Sequence, residues 1–209
     1  MIEIGNVVTP SPEQFMFALR SMRNPLNSWD KQDSYIDDGG LVLGDGDYKL
    51  AMKLARNGSE HRKYLRSLPV MMDITAPLYW WKEFDTYKIG TVSNSCSTMH
   101  KIHAKALTRE DFSWEHLTPR TTFILEGLLE ALNEYREWFL INKDKYDWWQ
   151  LIQALPSSYN QRRSITTNYE TLSHIYESRK NHKLDEWRDF CTFMDDLECS
   201  FLITTGKEI

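Results

Sequence analysis

Four residues near the carboxy-terminal end carry the clearest chemical signal. Asn168, Leu172, Ile175 and Arg179 stand at offsets of zero, four, seven and eleven. On a helix they share one stripe, with two polar groups flanking two aliphatic ones. An arginine on a core-facing stripe must find an anion or several acceptors, because a dry, unpaired charge is very costly. Two readings stand at this point. Arg179 pairs with an internal carboxylate or lies at a wet helix end, or its planar donor fork faces a ligand carbonyl or phosphate. His61, His174 and His182 are candidate acids, bases or donors, with a structural role as the alternative. His100 and His103 are spaced to meet on a helix face, but no third ligand lies nearby, so no metal site is expected. Cys96, Cys191 and Cys199 are odd in number and lack a CxxC spacing. Free thiols are expected, rather than a disulfide framework or a zinc site. The absence of a GxGxxG turn, a P-loop and a GxSxG elbow argues against a Rossmann dehydrogenase, a P-loop kinase and a serine hydrolase.

The elements that must position these residues are legible in outline. Ser11-Pro12-Glu13-Gln14 reads as an N-cap, a first-turn proline and a capping-box partner, opening a helix through Phe15, Phe17, Ala18 and Met22. Leu41-Val42-Leu43, between two Asp/Gly clusters, is a strand or a buried turn. From Tyr48 a helical pattern runs to the Asn57-Gly58 stop. Residues 70–75 predict a strand ending at Ala76-Pro77, with Pro77 opening a helix that carries Leu78, Trp80, Trp81 and Phe84 and ends near Gly90. Thr91 to Thr98 is a polar segment, a solvated connection or a ligand cradle. A long helix is expected from Pro119 to Ile141 with Ile124, Leu128, Ala131, Leu132, Tyr135, Trp138 and Phe139 on one broad apolar face. A short helix then holds Trp148 to Ile152 before Pro156. A strand over 163–167 follows, then helices from Asn168 to about Lys180 and from Leu184 to about Leu197. Helices alternating with a few strands predict an α+β fold, helices packed on a small sheet, in a single domain over 1–209.

Composition narrows the function classes. The 209 residues include 25 Lys plus Arg and 30 Asp plus Glu, a net charge of −5. That balance excludes a general nucleic-acid coat, which needs a basic surplus to displace counterions. A small anionic ligand held by local cations remains compatible with it. Eight Trp and ten Tyr supply either a large core or flat surfaces for rings and partners. No segment reaches the roughly 18 consecutive apolar residues of a membrane span, and the first residues lack a basic-then-apolar leader pattern. A cytoplasmic protein without membrane binding is expected.

From Leu155-Pro156 through Asn168-Tyr169-Glu170-Thr171-Leu172 to Arg179, His182 and Glu186-Trp187, the chain resembles the flavin-dependent thymidylate synthases. In that family a Leu-Pro precedes a strand, then Asn-x-x-Ser-Leu, then an arginine on the same helix, and the spacing here matches without a gap. His61 and Ala76-Pro77 match upstream, so the resemblance covers roughly 47–190, loosely between 105 and 150. The family's Arg-His-Arg triplet falls on Thr86-Tyr87-Lys88. Cys96 falls at the ungapped serine position, whereas one inserted residue aligns Asn94, Ser95 and Ser97 with the family's asparagine, glutamate and serine. The glutamine before the triplet falls on Glu83. The substrate arginine before the Leu-Pro falls on Ile152, with Arg162 and Arg163 nearby in sequence.

The resemblance implies a reaction and a residue set. A methylene group passes from methylene tetrahydrofolate to dUMP to give dTMP, with hydride from reduced FAD and ultimately from NADPH. By this resemblance Arg179 polarises the pyrimidine as the catalytic and substrate-binding residue. His61, Lys88, Asn94, Asn168 and His174 fall at cofactor-binding positions, and Glu83, Ser95 and Ser97 at substrate-binding ones. The family needs no cysteine nucleophile, so none is assigned to Cys96, and it implies a homotetramer. The alternatives from the altered triplet are a nucleotide-binding or interaction protein that keeps the fold without the chemistry, or a related pyrimidine-nucleotide modifying enzyme.

Overall fold

A computed structural model describes residues 1–26, 28–95 and 97–204. Cys96, and with it the ungapped serine position, lies outside them. In chain order the elements are β1 (Glu3–Val8), α1 (Pro12–Ser21), β2 (Tyr35–Asp37), β3 (Gly40–Val42), α2 (Asp45–Arg56), β4 (Pro69–Pro77), α3 (Leu78–Phe84), β5 (Val92–Ser95), α4 (Thr98–Lys101), α5 (Pro119–Asn142), α6 (Lys145–Gln153), β6 (Asn160–Asn168), α7 (Tyr169–Arg179), α8 (Asp185–Asp195) and α9 (Phe201–Thr204). The fold class is α+β. Four strands are ordered β1-β4-β6-β5, and β2 and β3 form a separate antiparallel hairpin in which Ile36 faces Leu41.

The chain forms two compact units, each built from separate segments. The first comprises Met1–Glu3, Ile74–Thr86 and Asn94–Ser164; the second comprises Ile4–Asp73, Tyr87–Ser93 and the chain from Ile165 onward. In the first unit the core is a cluster of Ile102, Leu107, Phe112, Leu125, Leu129, Leu132 and Leu151, contributed mainly by α5 and α6 and the segment before them. Trp80, Trp81 and Phe84 of α3 add a second buried group, Trp80 stacking on Phe84 with centroids 5.0 Å apart. In the second unit α7 packs against α8 and α9, and α9 also packs against α2. Tyr169, Leu172 and Ile175 are fully buried there, as are Trp187, Phe190 and Met194 on α8.

A buried acid organises the amino-terminal part of the second unit. Asp47, in the first turn of α2, is fully buried. Its carboxylate accepts from Arg23 Nε at 3.0 Å and Nη2 at 2.5 Å, and from the backbone amide of Ser34 at 3.0 Å. Asp33 answers it by accepting from the amides of Gly46 at 2.7 Å and Asp47 at 2.8 Å, which satisfies two donors that the start of α2 leaves open. Those amides hold the Asp33 carboxyl below its usual pKa.

Several sequence expectations shift. The capping box of α1 is formed, with Gln14 Nα to Ser11 Oγ at 3.4 Å and Ser11 Nα to Gln14 Oε1 at 2.8 Å. Residues 40–42 form a strand, and α2 begins at Asp45, earlier than Tyr48, because Asp33 supplies its cap from a distance. Pro77 is the N-cap of α3, not its first residue, and α3 ends at Phe84 rather than near Gly90. The polar segment after Thr91 contains a strand, β5, followed by α4. β5 lies at a sheet edge with its residues exposed, so backbone pairing rather than side-chain burial holds it. β1, another edge strand, and α9 carry no clear periodic signal in the sequence. On α5 the buried line is Leu125, Leu129 and Leu132, whereas Ile124 is 59% and Trp138 46% exposed. Leu128, Leu132 and Tyr135 of the expected stripe do pack in or on the core cluster, and the stripe is shifted only in part, because apolar residues occur on more than one side of this helix and the opposing cluster selects among them.

Two consequences are measurable. Removing one partner of a buried pair strands the other charge, so Asp47→Ala should lower the unfolding free energy by about 3–5 kcal/mol in urea titration. Asp33 has a folded pKa below its unfolded value of about 4, so its stabilisation is present above that value and lost as pH falls through the folded one. Asp33→Asn should therefore lower the melting temperature at neutral pH and flatten its decline in acid.

Candidate functional site

In the second unit, α7 begins on a cap made of a side chain and a tight turn. Asn168 Oδ1 accepts from the Thr171 amide at 3.0 Å, and Asn168 Nδ2 donates to the Gly90 carbonyl at 3.4 Å. Thr171 Oγ1 donates to the Ile89 carbonyl at 3.0 Å. Gly90 has φ of +75°, and a Cβ there would stand 2.4 Å from Asn168 Nδ2 and 3.1 Å from Thr171 Oγ1. Only glycine meets both the left-handed backbone and this close approach. The turn carrying Tyr87 and Lys88 is thereby fixed against the start of α7.

At the other end of α7, Arg179 is half-buried and its Nε donates to the Tyr87 hydroxyl at 2.8 Å. The guanidinium carbon lies 4.7 Å from the Trp187 ring centroid and 5.7 Å from that of Tyr87. Between two aromatic faces a cation is held by ring quadrupoles while losing much of its water. Tyr87 also meets His174 edge-on at 5.7 Å and Trp187 at 6.0 Å, and His182 meets Trp187 at 6.3 Å. Leu172 and Ile175 are fully buried, so the stripe read from the sequence faces the core along its middle.

The structure brings some of the expected residues together. Arg179 and His174 both contact Tyr87, Asn168 holds the same turn, and exposed Lys88 lies within it. Asn168 is committed to the cap and the turn through both its side-chain atoms. His61 is exposed; the next residue, Arg62, reaches α7 through Nη1 to Ser173 Oγ and Glu177 Oε1, each at 3.3 Å. Arg62 Nε is buried without a hydrogen-bond partner among the described residues.

Glu83, Asn94, Ser95 and Ser97 belong to the first unit. Glu83 is half-buried on α3, Asn94 and Ser95 are exposed on β5, and Ser97 lines a cleft of about 420 Å³ with Thr98, Lys101, Lys105 and Arg162. Arg163 is held elsewhere in that unit, by Asp85 at 2.7 Å and over the Trp81 ring.

The partners that sequence reasoning missed are Tyr87, as the anchor of Arg179, and Trp187, as its second wall. Neither has a spacing relation to Arg179, because they lie on different elements. Two thiols are unsuited to nucleophilic work. Burial raises Cys191 and Cys199 each to about 12, which keeps them protonated near neutrality. Among the described residues no group of three or more His, Cys, Asp or Glu is disposed to hold a metal ion, and no helix is long and apolar enough to cross a membrane.

By sequence, neither a protein-family model nor a curated protein matches the chain. By structure it is similar to thymidylate synthase X from Helicobacter pylori with FAD and dUMP, at a TM-score of 0.69 and 17% identity, over 100% of both chains. A second structure of the flavin-dependent thymidylate synthase from that organism, also complexed with FAD and dUMP, gives 0.63 and 16%, covering 98% of this chain and 97% of that one. PolB from Streptomyces cacaoi, a UMP/dUMP methylase bound with 5-Br dUMP, gives 0.58 and 14%, covering 93% and 88%. The chain has the fold of the flavin-dependent thymidylate synthases, along its whole length.

The Gly90 turn can be tested against an uncrowded control. Gly58 also has positive φ, +87°, but a Cβ there meets nothing within 4 Å. Gly90→Ala should cost about 1–3 kcal/mol of unfolding free energy, and more than Gly58→Ala measured in the same urea series. An equal or smaller loss would show that the turn is not wedged against α7.

Proposed function

We propose that this chain binds a pyrimidine nucleotide and a flavin and methylates the base, dUMP to dTMP, as a divergent flavin-dependent thymidylate synthase-like enzyme. The observation that carries this reading is Arg179, a half-buried cation oriented by the Tyr87 hydroxyl and flanked by Tyr87 and Trp187, on a fold whose solved counterparts hold FAD and dUMP. A guanidinium fixed in this way stabilises negative charge developing on a pyrimidine carbonyl as C5 becomes nucleophilic. It does so more strongly than in water, because its orientation is set beforehand and the flanking rings lower the local dielectric.

The donors of the second unit fit an anionic cofactor such as FAD. Lys88, His61 and His174 are exposed, and Arg62 carries a buried Nε with no partner among the described residues. Lys88 would pair with phosphate, with His61 and His174 contacting the same cofactor and Asn168 holding the adjacent turn. When bound, the flavin supplies hydride, delivered to it from NADPH, and methylene tetrahydrofolate supplies the carbon. Glu83, Asn94, Ser95 and Ser97 keep the roles that the resemblance gives them, and a cytoplasmic homotetramer remains part of the proposal. The high pKa values of Cys191 and Cys199 agree with a reaction that needs no cysteine nucleophile.

One observation favours a second reading, a nucleotide-binding protein without turnover. Where the family has Arg-His-Arg, Thr86-Tyr87-Lys88 retains a single cation, and Tyr87 is engaged with Arg179. A related base-modifying activity on UMP or dUMP is the third, matching the activity of the Streptomyces cacaoi protein.

Freshly purified protein should be yellow or become so with FAD, and should form dTMP from dUMP, folate and reductant. Arg179→Ala should lower turnover at least about a hundredfold with flavin absorbance and melting temperature largely kept. Nucleotide binding without turnover in the unsubstituted protein would select the second reading. Absence of both flavin and nucleotide binding would overturn the proposal.

A further inference from the structure

Two helices, one in each unit, carry rows of like charge that the chain itself leaves unmatched. On α2, Lys49, Lys53 and Arg56 stand at offsets of zero, four and seven, so they share one exposed face. Lys49 and Lys53 have no carboxylate partner among the described residues. Beside them lies a hollow of about 420 Å³, lined also by Tyr48 and the buried Met52. On α5, Glu130, Glu134 and Glu137 stand at the same three offsets, and all are exposed. None of the three has a basic partner among the described residues, whereas Glu126, one turn earlier, pairs with Arg109 at 3.7 Å. Phe123 and Ile141, 76% and 78% exposed, flank the glutamates on the same face.

Like charges three and four residues apart repel along each helix. A row of opposite sign at the same pitch relieves both. Laid face to face, the two rows match turn for turn when the helices run parallel. When they run antiparallel, the middle charges miss by one residue's rise, about 1.5 Å, which long side chains absorb. In a chain of net charge −5 a purely basic face is the exception, so its complement is an acidic surface, and a second copy of this chain carries one with the required spacing. The apolar residues agree with the charges: α2 offers a hollow beside its lysines, and α5 offers exposed apolar side chains beside its glutamates.

We propose that α2 of one copy docks on α5 of a second copy, with Lys49, Lys53 and Arg56 facing the second copy's row of three glutamates and an apolar side chain of the α5 face seated in the hollow. The homotetramer implied by the resemblance names no faces. This contact names both, and it does not depend on flavin or nucleotide binding. Its ion pairs are exposed, so each adds little affinity; the rows chiefly set register and reject mismatched surfaces. Association through them is therefore sensitive to salt.

The test is a charge swap in the full chain, read by sedimentation velocity over a range of protein concentrations. One variant carries Lys49→Glu with Lys53→Glu, the other Glu130→Lys with Glu134→Lys. All four side chains are exposed, and an unchanged melting temperature would confirm that each variant folds. In either variant alone, like charges face each other across the contact, and the self-association constant should fall at least about tenfold. In an equimolar mixture every contact between the two variants is again complementary, so association should return. Loss in both variants without recovery in the mixture would overturn the pairing of these two faces. An assembly of unchanged mass and affinity in both variants would overturn the contact while leaving the homotetramer reading intact. A chain that stays monomeric at every concentration would overturn both.

Discussion

The attachment of the 87–91 turn to the start of α7 is the constraint on which the candidate site depends. Asn168 serves the helix and the turn at once, its carbonyl capping the Thr171 amide while its amide holds the Gly90 carbonyl. Gly90 permits the approach because any larger residue would collide with that amide. With the turn fixed, the Tyr87 hydroxyl reaches Arg179 on the last turn of α7, and the Tyr87 ring meets His174 and Trp187. Orientation of the Arg179 guanidinium thus follows from a short backbone turn and a helix cap.

The second unit supports this arrangement by satisfying charges locally. Asp47 is fully buried yet accepts from Arg23 and from backbone amides, and Asp33 closes the start of α2. Arg62 ties the segment after α2 to Ser173 and Glu177 on α7. Arg66 reaches Glu170 on the same helix. These polar links fix how α7 is presented, whereas the apolar contacts of Leu172, Ile175, Trp187 and Phe190 provide most of the driving force through burial. The same separation appears in the first unit, where the aliphatic cluster on α5 and α6 is dry and the cleft around Lys101 and Arg162 is rich in donors.

Most helices were legible because their signals are local. The capping box at Ser11, the Pro119 start of α5 and the Asn168 start of α7 each lie within a few residues of the structure they specify. The edge strands were less legible: β1 and β5 bury little side chain and are held by backbone pairing to distant segments. On α5 the period was right and the face right in its middle, where Leu128, Leu132 and Tyr135 meet the core cluster, but Ile124 and Trp138 fell outside it, since apolar residues surround much of the helix and only the opposing cluster chooses among them.

For the site, the sequence by itself determined that Arg179 lies one helix length beyond Asn168, on a stripe with Leu172 and Ile175, and that the chain resembles a flavin-dependent thymidylate synthase in this region. It also determined that any anionic ligand must rely on local cations, given the net charge of −5. Only the tertiary structure decided what Arg179 touches: a tyrosine 92 positions away and a tryptophan on the next helix. It likewise decided that Ser97, Lys101 and Arg162 share a cleft although more than sixty positions separate the last from the first. The physical reason is that periodicity reports which side of an element is dry, through the side chains of that element alone. The partner of a polar group is instead set by hydrogen-bond geometry accurate to a fraction of an ångström, which exists only after remote segments have closed on one another.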